Sequence, residues 1–321
     1  VSTVHLHDDI AQALQQGRPV VAMETAVLTC GLPRTPWSDS CGACPDAIDR
    51  STGLHLATCK AMAAAVRDAG AQPAFCGVLH GEAIVGLDDE QLERLADAPP
   101  AKASPDTLAL YAARGQSAGT TVGGTLMLLQ AAARFAERIS VFATGGIGGV
   151  HQGWQQRPDI SADLASIARV PCAVVCAGAK SILDTTATAE ALQTLGVPLL
   201  GLGCDRLPGF LAPGDADAPL VQRVDGDAAG VVLRHWALGG GGCVLVQDPP
   251  SSEALTAQQA RSLAAEAHGA VTQRGPNRTP TLLSAMAERS NGHSLRANCA
   301  LLIANARAGA LLAIAMTNLN S

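Results

Sequence analysis

The chain has 321 residues, 48% of them hydrophobic, a formal net charge of −6 and only 2% aromatic residues. The acidic balance excludes a basic surface for a nucleic-acid polymer, and so few rings exclude a stacking platform for single strands. The apolar content is enough for a large core, built here from alanine, glycine and valine.

Val1 to Gln16 is polar and bears acids, without the apolar segment of a secretory signal. Ten cysteines in such a chain lead us to expect reduced thiols and a cytoplasmic location. Short apolar runs predict strands over 19–23, 74–79, 139–143, 172–176, 198–202 and 242–247. Helical patterns over 56–70, 89–96, 121–137, 186–195 and 252–269 separate most of them. The apolar stretch 299–316 is interrupted by Asn305 and Arg307 and reads as a buried helix, not a membrane span. Continuous apolar strands alternating with helices predict an α/β fold, a mostly parallel central sheet with helices on both faces. No linker divides the chain, so one domain over 1–321 is expected.

Ligands of such sheets sit at the carboxyl ends of strands. Glu24, Thr144, Lys180 and Pro249 all fall just past expected ends. Only Lys60, Lys102 and Lys180 are lysines among 22 basic residues. A lysine after a buried strand can lose its proton and attack a carbonyl, which arginine cannot. Equally, it can snorkel from a core edge. Glu24 is either a partly desolvated acid–base group or a surface carboxylate at a strand end. Gly145-Gly146-Ile147-Gly148-Gly149 allows close backbone approach to a ligand, or is a tight turn. Asp159 and Asp163, four apart, are expected on one face of a helix. One could bind a hard divalent cation such as Mg²⁺ or Mn²⁺ while the other serves Lys180 or the substrate; alternatively one caps the helix. Lys102, with Thr120 and Thr121 at a helix start, offers a phosphate site or an ordinary cap. Cys41-Gly42-Ala43-Cys44 with His55 and Cys59 has the ligand types for zinc, or is a thiol-bearing loop.

FATGGIGGVH (142–151), DISADL (159–164) and VCAGAKSILD (175–184) together resemble the pseudouridine-5'-phosphate glycosidase family. PVVAMET (19–25), GTTV (119–122), GVPL (196–199) and SLRAN (294–298) extend the resemblance over nearly the whole chain. It implies reversible cleavage and formation of the C–C bond between C1′ of ribose 5-phosphate and a base. In that family's terms Lys180 resembles the lysine that bonds to C1′ of the ring-opened sugar. Glu24 resembles the acid–base residue, Asp163 the acid beside the lysine, and Asp159 the ligand of a divalent metal, typically Mn²⁺. Lys102 and Thr121, with Val122 of the GTTV match, fall where the family holds the sugar phosphate. His151, Thr144 and Asn298 fall near the base, and Ser161 of DISADL joins the substrate-binding set. No organic cofactor is implied, and a homotrimer is.

The chain also departs from the family. Thr25-Ala26 stands where Ser-Thr is usual. Thr29-Cys30-Gly31-Leu32-Pro33 puts Cys30 where the family has histidine. A long connection, about 34–55, carries the C-x-x-C. LPGFLAP (207–213) lacks the usual arginine and serine. Two acceptors are therefore expected within one chemistry: uracil, as in the glycosidases, or another aromatic, as in biosynthetic C-glycosynthases of C-nucleoside and polyketide antibiotics. A non-catalytic sugar-phosphate-binding protein is the third reading, which the intact Glu24, Asp159, Asp163 and Lys180 disfavour.

Overall fold

The computed structural model describes residues 4–156, 158–270 and 278–320. In chain order it runs β1 (His5–Leu6), α1 (Asp8–Gln15), β2 (Val20–Met23), a π-helical turn (Val27–Gly31) and a 3₁₀ turn (Asp39–Cys41). Then come α2 (Leu54–Asp68), β3 (Gln72–Leu79), β4 (Glu82–Leu87), α3 (Asp89–Asp97), β5 (Lys102–Ala103), α4 (Leu108–Ala113) and β6 (Ala118–Thr120). They are followed by α5 (Val122–Ala132), β7 (Val141–Ala143), α6 (Ala162–Arg169), β8 (Ala173–Cys176), α7 (Thr185–Thr194) and β9 (Leu199–Leu202). The rest is β10 (Gln222–Val224), α8 (Ala228–Ala237), β11 (Cys243–Val246), α9 (Ala257–Ala270), α10 (Arg278–Arg289) and α11 (His293–Asn320).

The strands form one sheet in the order β1-β4-β3-β2-β7-β8-β11-β9-β10, with β6 pairing β3 and β5 pairing β6. All pairs are parallel except β3 with β4 and β3 with β6. Every residue of β2, β7, β8 and β11 is buried. A strand with both rows of side chains buried must be covered on both faces, which is why these runs are continuously apolar. The mostly parallel sheet wrapped by helices is as expected.

The six expected strands appear as β2, β3, β7, β8, β9 and β11, and five more were not foreseen. β4 is the longest of these. It turns back on β3 through His80 and Gly81, at φ 50° and 84°. Both central residues of a two-residue hairpin turn need positive φ, so His-Gly between two apolar runs was a signal. α9 starts five residues later than expected. Thr256 and Gln259 exchange side-chain-to-backbone bonds there, and that reciprocal cap fixes the first turn. α5 ends at Ala132 rather than near 137, and Phe135 beyond it is 60% exposed.

α11 is long and apolar enough to cross a bilayer by length and composition. It lies instead on the sheet. Ala297, Leu301, Ala306 and Ala310 are wholly buried. A β-carbon on its Gly309 would stand 3.1 Å from that of Ala143, so this helix rests directly on the β2–β7 surface.

Candidate active site

β2, β7 and β8 are consecutive and parallel, so their carboxyl ends lie side by side. The residues beyond them are Glu24, Thr144 to Gly148, and Lys180. The β7–β8 pairing continues past the strands themselves. Ala177 N–H donates to Gly145 O, Ile147 N–H to Gly178 O, and Lys180 N–H to Ile147 O. The glycine loop and the lysine loop are thus one laddered unit. Together they wall a cavity of about 510 Å³ into which Glu24, Lys102, Thr121, Asp163, Lys180 and Asn298 also face. His151, Asp159 and Ser161 line it from the following loop. Pro249 does not line it, so proximity to a strand end misplaced that residue.

Glu24 is 5% exposed. Burial raises its pKa, and the nearby Lys180 charge only partly offsets this. Thr144, wholly buried, donates its hydroxyl to Glu24 Oε1. Thr144 therefore orients the carboxyl and does not line the cavity. Lys102 is half-buried, and burial followed by the Lys180 charge lowers its pKa. An anion entering the cavity reverses that repulsion, since both ammonium groups then face an opposite charge. Lys180 Nζ forms no hydrogen bond or ion pair with the described residues, although Glu24 and Lys102 lie within its electrostatic reach.

Asp163 is not where residue spacing put it. Ser161 is the N-cap of α6, its Oγ accepting from Asp163 N–H. Asp159 precedes the helix, exposed, with its carbonyl accepting from His151 N–H. The two carboxylates therefore do not share a helix face. Asp163 Oδ1 accepts from Gly123 N–H at 2.8 Å and Oδ2 from Gly148 N–H at 2.8 Å. One buried carboxylate so ties the start of α5 to the glycine loop. Gly148 must be glycine because a β-carbon there would lie 2.6 Å from Asp163 Oδ2. Asp163→Asn keeps the shape but sets an NH₂ against one backbone N–H. We expect it to cost about 2–3 kcal/mol in urea unfolding, as for a lost charge-assisted bond with an orphaned donor.

Thr121 caps α5 through its side chain, which accepts from Gly124 N–H, and it lines the cavity beside Lys102. Val122 is buried in the core and does not line the cavity, so its side chain is packing. Cys41, Cys44, His55 and Cys59 do not converge. Among the described residues no three His, Cys, Asp or Glu side chains form a cluster able to hold a metal ion. Cys59 is wholly buried with a raised pKa, and all ten cysteines are free thiols. Two exposed carboxylates stand on the cavity wall, Asp159 and Asp106, and Asp106 accepts from Ser104 Oγ. That suits a divalent cation held mainly by water and substrate oxygens, as Mg²⁺ and Mn²⁺ accept.

Asn305 was read only as an interruption of an apolar helix. It is 1% exposed. Its amide donates to Thr144 O at 2.8 Å and Gly145 O at 3.2 Å, and it accepts from Gln247 Nε2 at 2.8 Å. It pins the glycine loop to α11. The signal was available: a lone asparagine on the buried face of a helix needs partners. Asn305→Leu removes the amide donor from the Thr144 carbonyl and the acceptor from half-buried Gln247, while Gly145 O keeps the Ala177 N–H. We expect at least about 2 kcal/mol of destabilisation by thermal or urea unfolding.

Residues 9–315 match the model of the family described as indigoidine synthase A like protein. The chain is 40% identical over 316 residues to the pseudouridine-5'-phosphate glycosidase of Myxococcus xanthus, covering 96% of each. It is 42% identical over 307 residues to that of Thermus thermophilus, covering 94% of this chain and 99% of the relative. Among solved structures it is similar to the prealnumycin C-glycosynthase AlnA in complex with ribulose 5-phosphate. The TM-score is 0.83 at 33% identity, over 100% of this chain and 99% of that one. An indigoidine synthase A-like protein of Thermotoga maritima gives a TM-score of 0.82 at 28% identity, over 98% and 97%. With its cavity built on the same motifs that carry the resemblance, the chain belongs to the indigoidine synthase A-like, pseudouridine-5'-phosphate glycosidase family.

Proposed function

We propose that this chain reversibly cleaves the C–C glycosidic bond of pseudouridine 5'-phosphate, consuming water and yielding uracil and ribose 5-phosphate. The observation that carries this is the meeting of Glu24, Lys180 and Lys102 in one cavity at the ends of β2, β8 and β5. A carbon–carbon bond offers no leaving oxygen or nitrogen to protonate, so an electron sink at C1′ is needed. Glu24, whose raised pKa lets it hold a proton nearer neutrality, gives that proton to the ring oxygen and the ribose opens. Neutral Lys180 Nζ bonds to C1′. The C1′–base bond then breaks, its electron pair remaining on the base carbon, which is protonated, and C1′ becomes an iminium on Lys180. Water adds to that iminium, releasing open-chain ribose 5-phosphate and the free amine. Lys102 and the Thr121 helix start hold the phosphate. Asp159 would hold Mn²⁺, or another divalent cation, which supplies charge to orient substrate oxygens. The enzyme would work in the cytoplasm, consistent with its free thiols, and as a homotrimer, as the family resemblance implies.

Incubation with Mn²⁺ and pseudouridine 5'-phosphate, and separately with ribose 5-phosphate and uracil, followed by mass spectrometry, tests this. Interconversion in both directions supports it; no reaction in either direction removes uracil as the substrate. A second reading, biosynthetic C-glycosylation of another aromatic, is favoured by one feature. Cys30, at the family's histidine position, lines both this cavity and a neighbouring apolar one.

A further inference from the structure

Phosphate recognition in the cavity rests on few groups. Among the described residues that line it, Lys102 and Lys180 are the only lysines, and no arginine is present. Lys180 serves C1′ in the chemistry proposed above, which leaves Lys102 as the cation for the phosphate. An ammonium is a point charge on a flexible stem, without the fixed fork of a guanidinium. Its aim therefore depends on what holds its backbone.

Lys102 lies in β5, a strand of two residues paired with β6. So short a strand has few ladder bonds to fix it. Ala101 O, just before the lysine, accepts from Gly119 N–H at 3.1 Å and from the Thr29 hydroxyl at 2.7 Å. Ala103 O, just beyond it, accepts from Thr121 N–H at 3.0 Å. Thr29 is 2% exposed and sits in the π-helical turn Val27–Gly31, close after Glu24. Its one hydroxyl proton goes to Ala101 O. The other acceptor in range, Thr25 O at 3.3 Å, already accepts from Leu28 N–H and Thr29 N–H.

The turn is itself firmly based. Thr25 Oγ1 donates to Cys76 O and accepts from Thr120 N–H at 3.1 Å, which fastens the end of β2 to β3 and β6. The segments are close-packed as well. A β-carbon on Gly119 would stand 2.5 Å from Thr29 Oγ1 and 2.3 Å from Thr25 O. The Thr29 hydroxyl thus couples the strand end that carries Glu24 to the residue before Lys102. π-helical turns are rare and concentrate at functional sites.

We propose that Thr29 is a positioning residue for phosphate recognition. By holding Ala101 it fixes where Lys102 stands, and so sets the preference for a phosphorylated over an unphosphorylated sugar. This rests on the reading of Lys102 as the phosphate's cation.

The test measures the affinities of the full chain for ribose 5-phosphate and, by displacement, for ribose, using calorimetry. Their ratio isolates the phosphate. Thr29→Val keeps the shape and loses the hydroxyl, while Ala101 O keeps the Gly119 N–H, so the variant is expected to fold. The ratio is expected to fall about 3–10-fold, the size of one lost hydrogen bond, with ribose affinity unchanged. Thr29→Ser retains the hydroxyl and is expected to restore the parental ratio. In a Lys102→Ala background Thr29→Val is expected to change the ratio no further, because the group it positions is gone. Thr29→Ala repeats the measurement if the valine variant does not fold. A parental ratio without the hydroxyl, equal losses for both sugars, or an undiminished effect in the Lys102→Ala background overturns the positioning role and leaves Lys102 as the phosphate's cation. An unchanged ratio in Lys102→Ala alone overturns that reading of Lys102 and the proposal with it, so the two failures are distinct.

Discussion

Lys180→Ala is expected to lower turnover of pseudouridine 5'-phosphate by at least ~10³-fold and to remove the borohydride-trapped adduct entirely. The chain should still fold. Lys180 Nζ takes part in no hydrogen bond or ion pair with the described residues, and the loop is held by backbone bonds through Ala177 N–H, Gly178 O and Lys180 N–H. Sugar-phosphate affinity should fall only modestly, because Lys102 and Thr121 remain on the cavity wall. Lys180→Arg should be as inactive as the alanine variant, since a guanidinium keeps the charge but cannot give up a proton. An arginine variant with substantial turnover would reduce Lys180 to an electrostatic role. A binding protein without catalysis would show near-normal sugar-phosphate affinity in all three forms and no adduct in any.

Glu24→Gln is expected to cut turnover by about 10²–10⁴-fold, the range for loss of a general acid–base group. It should also stabilise the fold above neutral pH. Burial raises the Glu24 pKa above its ordinary value, so the folded state favours the protonated form. The stability this group contributes is fully present below about pH 4.5 and is lost as pH rises through the raised folded pKa. Glutamine is neutral throughout and can still accept from the Thr144 hydroxyl. The difference in melting temperature between variant and parent should therefore be positive at pH 8 and shrink towards pH 4.5. A variant less stable than the parent at pH 8 would mean that the attraction of Lys180 outweighs the cost of burial. Such opposed effects on activity and stability are expected where a site holds a group its surroundings disfavour.

Much of this was legible in the residues. The strands that carry the site are apolar on both faces, so β2, β7 and β8 could be placed to within two residues. Glu24 and Lys180 followed from the rule that strand ends bear ligands. What failed were inferences from spacing alone. Asp159 and Asp163 are four apart, yet Ser161 caps α6 between them and the helix begins too late to hold both. Val122 shares a motif with Thr121 but points into the core. The edge strands β1, β5 and β10 have two or three residues, too few for a period to show. β4 was marked only by the His80-Gly81 turn. The π-helical turn at Val27–Gly31 leaves no signature in residue type, because an extra residue in a helical turn is a matter of packing. Asn305 reads as a flaw in α11 until the carbonyls it meets are known.

That asparagine also sets a clock. Its bond to the Thr144 carbonyl spans 161 residues of chain. At ~5–20 residues per second, a ribosome needs about 10–30 s to make that stretch. Lys180 and Glu24 leave the ribosome well before the helix that fastens the neighbouring glycine loop. During that interval the growing chain carries the Lys180 amine without the enclosure of the folded cavity. The aldehyde form of a sugar phosphate meets an ordinary flexible lysine at that stage, not an assembled cavity. The cavity is therefore completed late in synthesis, once the 161-residue loop is closed.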